Sequence, residues 1–254
     1  MSRIPPGSTL IPYPTLFSSR TRAAFLNALA TGTVCGGSSN AQPHIVAMAR
    51  HAGIELEPEV WYDHGYHLPL LVNMQPAGKY LGERFHRAGG VPAAMWELLQ
   101  AGKLHGDCVT VTGRSIAENL AGSESNDREV IRPFADPLQE NAGFLVLSGN
   151  LFDFAIMKTS VISAEFRKRY LSRPGAENVF EARAIVFDGS DDYHHRINDS
   201  DLNIDADCIL VMRSSGVLGW PGSAEVVNMQ PPDALIRADR KSTRLNSSHV
   251  LSPY

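Results

Sequence analysis

A polar segment divides the sequence into two parts with different patterns. Residues 123–141, SESNDREVIRPFADPLQEN, are rich in charged side chains and contain two prolines, Pro133 and Pro137. Such a segment is typical of a domain junction, because proline interrupts both helices and sheets. We therefore predict one domain over residues 20–125 and a second over residues 126–238.

The sequences at the two ends of the chain do not look like part of a folded domain. Residues 239–249, DRKSTRLNSSH, match the translation of a common sequencing adaptor, and residues 8–19, STLIPYPTLFSS, resemble the opposite adaptor. Two matches at opposite ends argue against chance; the alternative is a genuine disordered terminus at each end. We exclude residues 1–19 and 239–254 as adaptor-like, and expect the rest to be an internal piece of a longer protein.

Helices dominate the first predicted domain. Apolar periodicity and glycine stop signals predict helices over 21–32, from the Ser38–Asn40 turn to Gly53, and on each side of Gly89. In the second of these, Ile45, Met48 and Ala49 form the expected apolar stripe. Residues 107–113, DCVTVTG, alternate like a strand, and 114–122 read as a short helix, so the alternation predicts an α/β layer.

The second predicted domain reads as β-rich. Short apolar runs at 143–149, 182–189 and 207–215 predict strands, and a short helix is expected around 191–197. The strands lie too far apart in sequence for tight hairpins.

Composition narrows the class of protein. The chain has 254 residues, 43% hydrophobic and 20% charged, with a formal net charge of −4, as in soluble globular proteins. It has no basic run and no apolar stretch of about 20 residues, so we expect neither a nucleic-acid partner nor a membrane span. Its three cysteines are widely spaced, which argues against a disulfide framework or a zinc knuckle and predicts reduced, cytoplasmic thiols.

Three places could hold chemistry on pattern alone. Ser38, Ser39 and Asn40 precede a helix, where hydroxyl and N–H groups can hold a carboxylate or phosphate, although the pattern alone favours a plain capped turn, since Ser and Asn are the ordinary helix caps. Lys158 follows a strand in an apolar setting and could bind an anion, although such lysines more often reach the surface. Glu225 follows a stiff Gly/Pro loop and could bind Mg²⁺, or be a surface glutamate near a helix start.

Five stretches together resemble one enzyme family, the IlvD/Edd dehydratases, which include dihydroxy-acid, phosphogluconate and aldonate dehydratases. The resemblance extends over residues 27–236. The sequences around Glu225 and at residues 191–199 favour the aldonate dehydratase branch of this family. The stretches are GGSSNAQPHIVAMARHAGIEL at 36–56, all of 68–120, SGNLFDFAIMKTS at 148–160, ARAIVFDGSDDYHHRIND at 182–199 and GVLGWPGSAEVVNMQPPDALI at 216–236.

The resemblance implies an architecture and a reaction. Residues 20–125 would be the end of an N-terminal α/β domain, and 126–238 the first part of a β-rich, barrel-like, swivelling C-terminal domain. Members of the family remove water from 2,3-dihydroxy carboxylates to give 2-keto acids. They use an iron–sulfur cluster for the leaving hydroxyl, Mg²⁺ for the carboxylate end and a serine as base, and they are homodimers or homotetramers.

Few of the implied functional residues are found in this chain. Glu225 matches a family metal ligand, whereas Ser38, Ser39, Asn40 and Lys158 match loops that face the substrate. The cluster cysteines and the serine base have no counterpart, so we expect no complete catalytic set and an inactive chain. Two alternatives stay open: dihydroxy-acid dehydration in branched-chain amino-acid synthesis, and a non-catalytic fragment or assembly artefact.

Overall fold

The computed structural model describes residues 19–57, 59–150, 155–213 and 229–239. The chain divides into two compact units, Met1–Leu145 and Val146–Tyr254. Both units mix helices with extended segments, which confirms the predicted α/β class at this coarse level.

The first unit is mainly helical. It contains a single π-helical turn at Tyr62–Tyr66 besides its α-helices. The α-helices are α1 (Arg22–Val34), α2 (Ala41–His51), α3 (Gly82–Arg87), α4 (Gly90–Gln100) and α5 (Ile116–Leu120).

An extended segment at residues 68–72 forms the centre of this unit. Leu71 donates its backbone N–H to the carbonyl oxygen of Val34 at the end of α1, at 3.0 Å. On the other side, Leu70 and Val72 make antiparallel bridges to Gln139 and Ile131. Residues 126–141, which belong to the polar segment and to the second predicted domain, therefore pack within the first unit. One hydrophobic core cluster of this unit consists of Ala30, Val34, Leu68, Leu71 and Leu98.

Two helix predictions needed correction. Helix α1 does not stop at Gly32 but continues to Val34, because Thr33 and Val34 are buried, and the positive φ of 63° falls on Gly36. In α2 the predicted apolar stripe is wrong at Met48, whose side chain is 56% exposed. The buried residues of this helix are Gln42 and Ala49.

The strand predicted at 107–113 is wrong. Val109 and Val111 would share one face of a strand, and they are 41% and 51% exposed, so the apolar face of the segment is not buried. Instead, Asn119 donates from Nδ2 to the hydroxyl oxygens of Thr110 and Thr112, at 2.6 and 2.9 Å, which closes a tight turn. The short helix predicted after it is confirmed as α5.

The second unit carries the predicted strands and helix. The three apolar runs form β1 (Phe144–Leu147), at the boundary between the units, β3 (Arg183–Phe187) and β4 (Cys208–Met212), and the helix is α7 (Gly189–Arg196). The remaining elements are β2 (Ala155–Lys158), α6 (Ala164–Tyr170), a 3₁₀ turn (Ser200–Leu202) and α8 (Asp233–Asp239).

Strands β3 and β4 are parallel and define the core of the second unit. Their register runs from Arg183 opposite Cys208 to Phe187 opposite Met212. Parallel strands need a crossover connection between them. Here the crossover includes α7, which covers the strand pair. Phe187 and Tyr193 pack edge to face beneath it, with ring centroids 5.4 Å apart.

Candidate functional site

The turn before α2 places three of the predicted site residues side by side. Ser38 and Ser39 are exposed and Asn40 is half-buried. The backbone at Gly37 lies close to the backbone of α1, because a Cβ on Gly37 would lie 2.8 Å from the carbonyl oxygen of Gly32. Glycine is therefore required here, and it fixes where the three polar side chains emerge.

The backbone donors at the start of α2 are already occupied. Asn40 donates its N–H to Ser38 Oγ at 3.2 Å, and Ala41 donates to the Ser38 carbonyl at 3.1 Å. Gln42 donates to the Ser39 carbonyl at 3.2 Å, and Pro43 has no N–H. Asn40 is the N-cap residue, but its side chain makes no capping bond. The turn therefore offers hydroxyl and amide side chains to a ligand. Asn40, Ala41, Gln42 and Pro43 offer no free backbone N–H.

Sequence reasoning missed Gln42. Its side chain is only 2% exposed, and Oε1 has no hydrogen-bond partner. Seven residues separate Gln42 from the buried Ala49, so both lie on one face of α2. That spacing was the available signal, and the apolar stripe through Met48 obscured it.

Lys158 ends β2 in the second unit. It is half-buried, and burial lowers the pKa of its ammonium group. Thr159 and Ser160 follow it and are both buried, and the hydroxyl oxygen of Ser160 has no hydrogen-bond partner. A half-buried cation followed by a buried hydroxyl suits an anionic group, because a nearby negative charge offsets the cost of burying the ammonium.

Glu225 and the Gly/Pro loop at 216–222 lie outside the described residues. The structure thus brings Ser38, Ser39 and Asn40 together in one turn and places Lys158 in the other unit. The assignments of all five residues stay predictions.

No metal site is formed by the residues that the structure describes. Among them, no group of three or more His, Cys, Asp or Glu side chains is placed to hold a metal ion. The three cysteines are free thiols, and burial raises the pKa of the Cys35 thiol to about 12. Cys208 donates to Asp205 Oδ1 at 3.1 Å. These thiols do not fit an iron–sulfur cluster, which needs several thiolates around one centre.

Cys35 is expected to resist alkylation in the folded chain. A pKa of about 12 against an ordinary 9.0 lowers its thiolate fraction near neutral pH, and hence its reactivity, by about three orders of magnitude. Peptide mapping after iodoacetamide treatment would measure this, with Cys208 as the internal reference and guanidinium-unfolded chain as the control. Equal labelling of Cys35 and Cys208 before unfolding would contradict the prediction.

In the part of the chain that the structure describes, no helix combines the length and apolar character that a membrane crossing requires.

Two family models match the chain. The dihydroxy-acid/6-phosphogluconate dehydratase N-terminal model matches residues 17–119, and the C-terminal model of the same family matches residues 129–246.

Curated relatives point the same way. D-xylonate dehydratase of Caulobacter vibrioides is 70% identical over 85% of this chain and 36% of its own length. L-arabinonate dehydratase of Rhizobium leguminosarum bv. trifolii is 38% identical over 91% of this chain and 38% of its own. Dihydroxy-acid dehydratase of Lactococcus lactis subsp. cremoris is 36% identical over 86% of this chain and 36% of its own. The chain therefore spans little more than a third of the length of these relatives.

Proposed function

Because the chain belongs to the dihydroxy-acid/6-phosphogluconate dehydratase family, we propose that its activity is the dehydration of a sugar acid. The substrate would be an aldonate such as xylonate or arabinonate, and the product a 2-keto-3-deoxy acid. The observation that carries this proposal is the gap between 70% identity to a D-xylonate dehydratase and 36% to a dihydroxy-acid dehydratase.

The reaction sets two chemical requirements. The proton on C2, next to the carboxylate, is weakly acidic, so its removal needs a base and stabilisation of the enediolate that develops. The C3 hydroxyl is a poor leaving group and needs a Lewis acid. The family resemblance implies that a cluster and Mg²⁺ supply this help. Since the described thiols do not fit a cluster, we derive no step through it.

We assign the residues of this chain to binding and orientation. Ser38, Ser39 and Asn40 would bind hydroxyl groups of the substrate, because their turn presents neutral polar side chains. Lys158 would bind an anionic group, because burial disfavours its charge when no anion is near. Glu225 would contribute a carboxylate to Mg²⁺, which prefers hard oxygen ligands.

Other parts of the proposal rest on the family resemblance. They are the iron–sulfur and Mg²⁺ cofactors, the barrel-like form of the second domain and a homodimeric or homotetrameric assembly. The proposed junction at 125/126 rests on the polar, proline-containing segment, and the proposed cytoplasmic location on the three widely spaced cysteines. No nucleic-acid or membrane partner is proposed.

A chimera tests the proposal. Residues 20–238 replace the matching segment of the Caulobacter vibrioides D-xylonate dehydratase, and formation of a 2-keto-3-deoxy acid is measured with D-xylonate and L-arabinonate. We expect turnover by the chimera and none by the 254-residue chain alone with added Fe²⁺ and Mg²⁺. A folded chimera that dehydrates no aldonate would contradict the proposal and favour the non-catalytic alternative. Turnover by the chain alone would contradict the expectation that it lacks a complete catalytic set.

A further inference from the structure

The residues that flank the Glu225 segment, residues 214–228, meet at one core cluster of the second unit. Met212, the last residue of β4, is buried in this cluster together with Tyr193 of α7. Met229, the first described residue after the segment, packs against the same cluster. The chain therefore leaves this cluster before the segment and returns to it afterwards, so the same few side chains fix both flanks.

The flank before the segment is held by the end of β3. Arg213 donates its backbone N–H to the carbonyl oxygen of Phe187 at 2.9 Å, which continues the pairing of β3 and β4 by one residue. Its guanidinium group donates to Asp188 Oδ1 at 2.7 Å. Both side chains of this ion pair are exposed, so the backbone bond is the more important contact.

Tyr193 holds the flank after the segment through its hydroxyl group. This group accepts from the Gln230 N–H at 2.6 Å and donates to the Gln230 carbonyl oxygen at 2.9 Å. The tyrosine is only 4% exposed and packs edge to face on Phe187, so a close-packed core fixes the position of the hydroxyl. Three residues later, Asp233 donates its N–H to Asn198 Oδ1 at 2.8 Å. The returning chain is thus bonded twice to α7 and the residues just after it.

We propose that Tyr193 is a positioning residue for the dehydration reaction: its hydroxyl fixes Gln230 and thereby sets where the Glu225 carboxylate is presented. Glu225 comes five residues before Gln230 and twelve after Arg213, so the Tyr193 anchor is the nearer of the two along the chain. Tyr193 acts through Gln230, and we assign it no contact with the substrate. The inference rests on the proposed function, and within it on the role proposed for Glu225.

Amide hydrogen exchange on the 254-residue chain tests the anchor without any assay of activity. Tyr193→Phe keeps the ring in the core and removes the hydroxyl, so the Gln230 N–H should exchange about tenfold faster, the value of one hydrogen bond. Tyr170→Phe is the matched control, because the Tyr170 hydroxyl also donates a hydrogen bond within the second unit, to Asp207. It should leave exchange at Gln230 unchanged. Equal exchange in the parent chain and in Tyr193→Phe would overturn the proposal.

A double-mutant cycle in the chimera tests the link to Glu225. Tyr193→Phe should lower kcat/KM for D-xylonate about 10- to 100-fold, because a small misplacement of a reacting group has effects of this size. Tyr170→Phe should not change it. In a chimera that already carries Glu225→Gln, Tyr193→Phe should have no further effect, since it acts only through the position of Glu225.

Each outcome has a distinct meaning. If the unmodified chimera turns over no aldonate, or if Glu225→Gln is fully active, the proposed function or the role of Glu225 fails, and this inference fails with it. If Glu225→Gln is impaired but Tyr193→Phe is not, the inference alone is overturned. It is also overturned if Tyr193→Phe lowers kcat/KM by the same factor with and without Glu225, because Tyr193 is then only structural. Thermal unfolding of each variant identifies any loss that comes from misfolding.

Discussion

Replacement of Glu225 by glutamine in the chimera is expected to lower turnover of D-xylonate by about 100- to 1,000-fold, the usual effect of losing one electrostatic group at a reacting centre. The amide has the same shape as the carboxylate but no negative charge. Mg²⁺ binds hard, charged oxygen ligands, so its affinity should fall along with the rate. Steady-state rates measured over a series of Mg²⁺ concentrations would show both effects.

Glu165→Gln is the matched control for this change. Glu165 is an exposed glutamate in α6 of the same unit, and its loss should leave both the rate and the Mg²⁺ dependence unchanged. If Glu225→Gln behaves like the control, Glu225 is an ordinary surface residue, and the metal assignment is wrong.

Asn27→Leu is expected to destabilise the chain by about 1–3 kcal/mol, because it removes two partly buried hydrogen bonds to the backbone of His105. Asn27 is 3% exposed in the middle of α1. Its Nδ2 donates to the carbonyl oxygen of His105 at 3.0 Å, and its Oδ1 accepts from the His105 N–H at 2.8 Å. The two bonds join segments that are 78 residues apart in sequence.

Urea unfolding of the 254-residue chain would measure this loss. Asn27→Asp retains the acceptor and should cost less than Asn27→Leu. Asn126→Ala, at an exposed position, should leave the unfolding midpoint unchanged. An Asn27→Leu variant as stable as Asn126→Ala would show that the two hydrogen bonds between Asn27 and His105 do not stabilise the first unit.

Some elements could be predicted from sequence because their determinants are local. Strands β3 and β4 follow from short runs of apolar residues, RAIVF and CILVM, four of which are β-branched as strands favour. Helix α5 begins with a capping box, in which Ser115 and Glu118 bond each other's backbone N–H.

Other elements depended on contacts that a local pattern does not contain. Thr33 and Val34 extend α1 beyond Gly32 because distant parts of the chain bury them. Val109 and Val111 alternate as in a strand, but the side chain of Asn119 closes the segment into a turn. Asn27 looked like one polar residue in a helix, and its role appears only with His105 beside it.

The candidate site shows the same division. Adjacent residues such as Ser38, Ser39 and Asn40 share a turn because they are neighbours in sequence. Gln42 was missed because its importance lies in burial and in an unpaired oxygen, neither of which the sequence displays. The assignments of Lys158 and Glu225 depend on long-range placement and rest on the family resemblance.

The most direct measurement of the central claim is the ratio of kcat/KM for D-xylonate to kcat/KM for the short, branched 2,3-dihydroxy acid, determined on the chimera. A site built to hydrogen-bond additional hydroxyls should reject a substrate that lacks them, so we expect a ratio of at least about 100. A ratio below one would contradict the sugar-acid assignment and support branched-chain dihydroxy-acid dehydration instead.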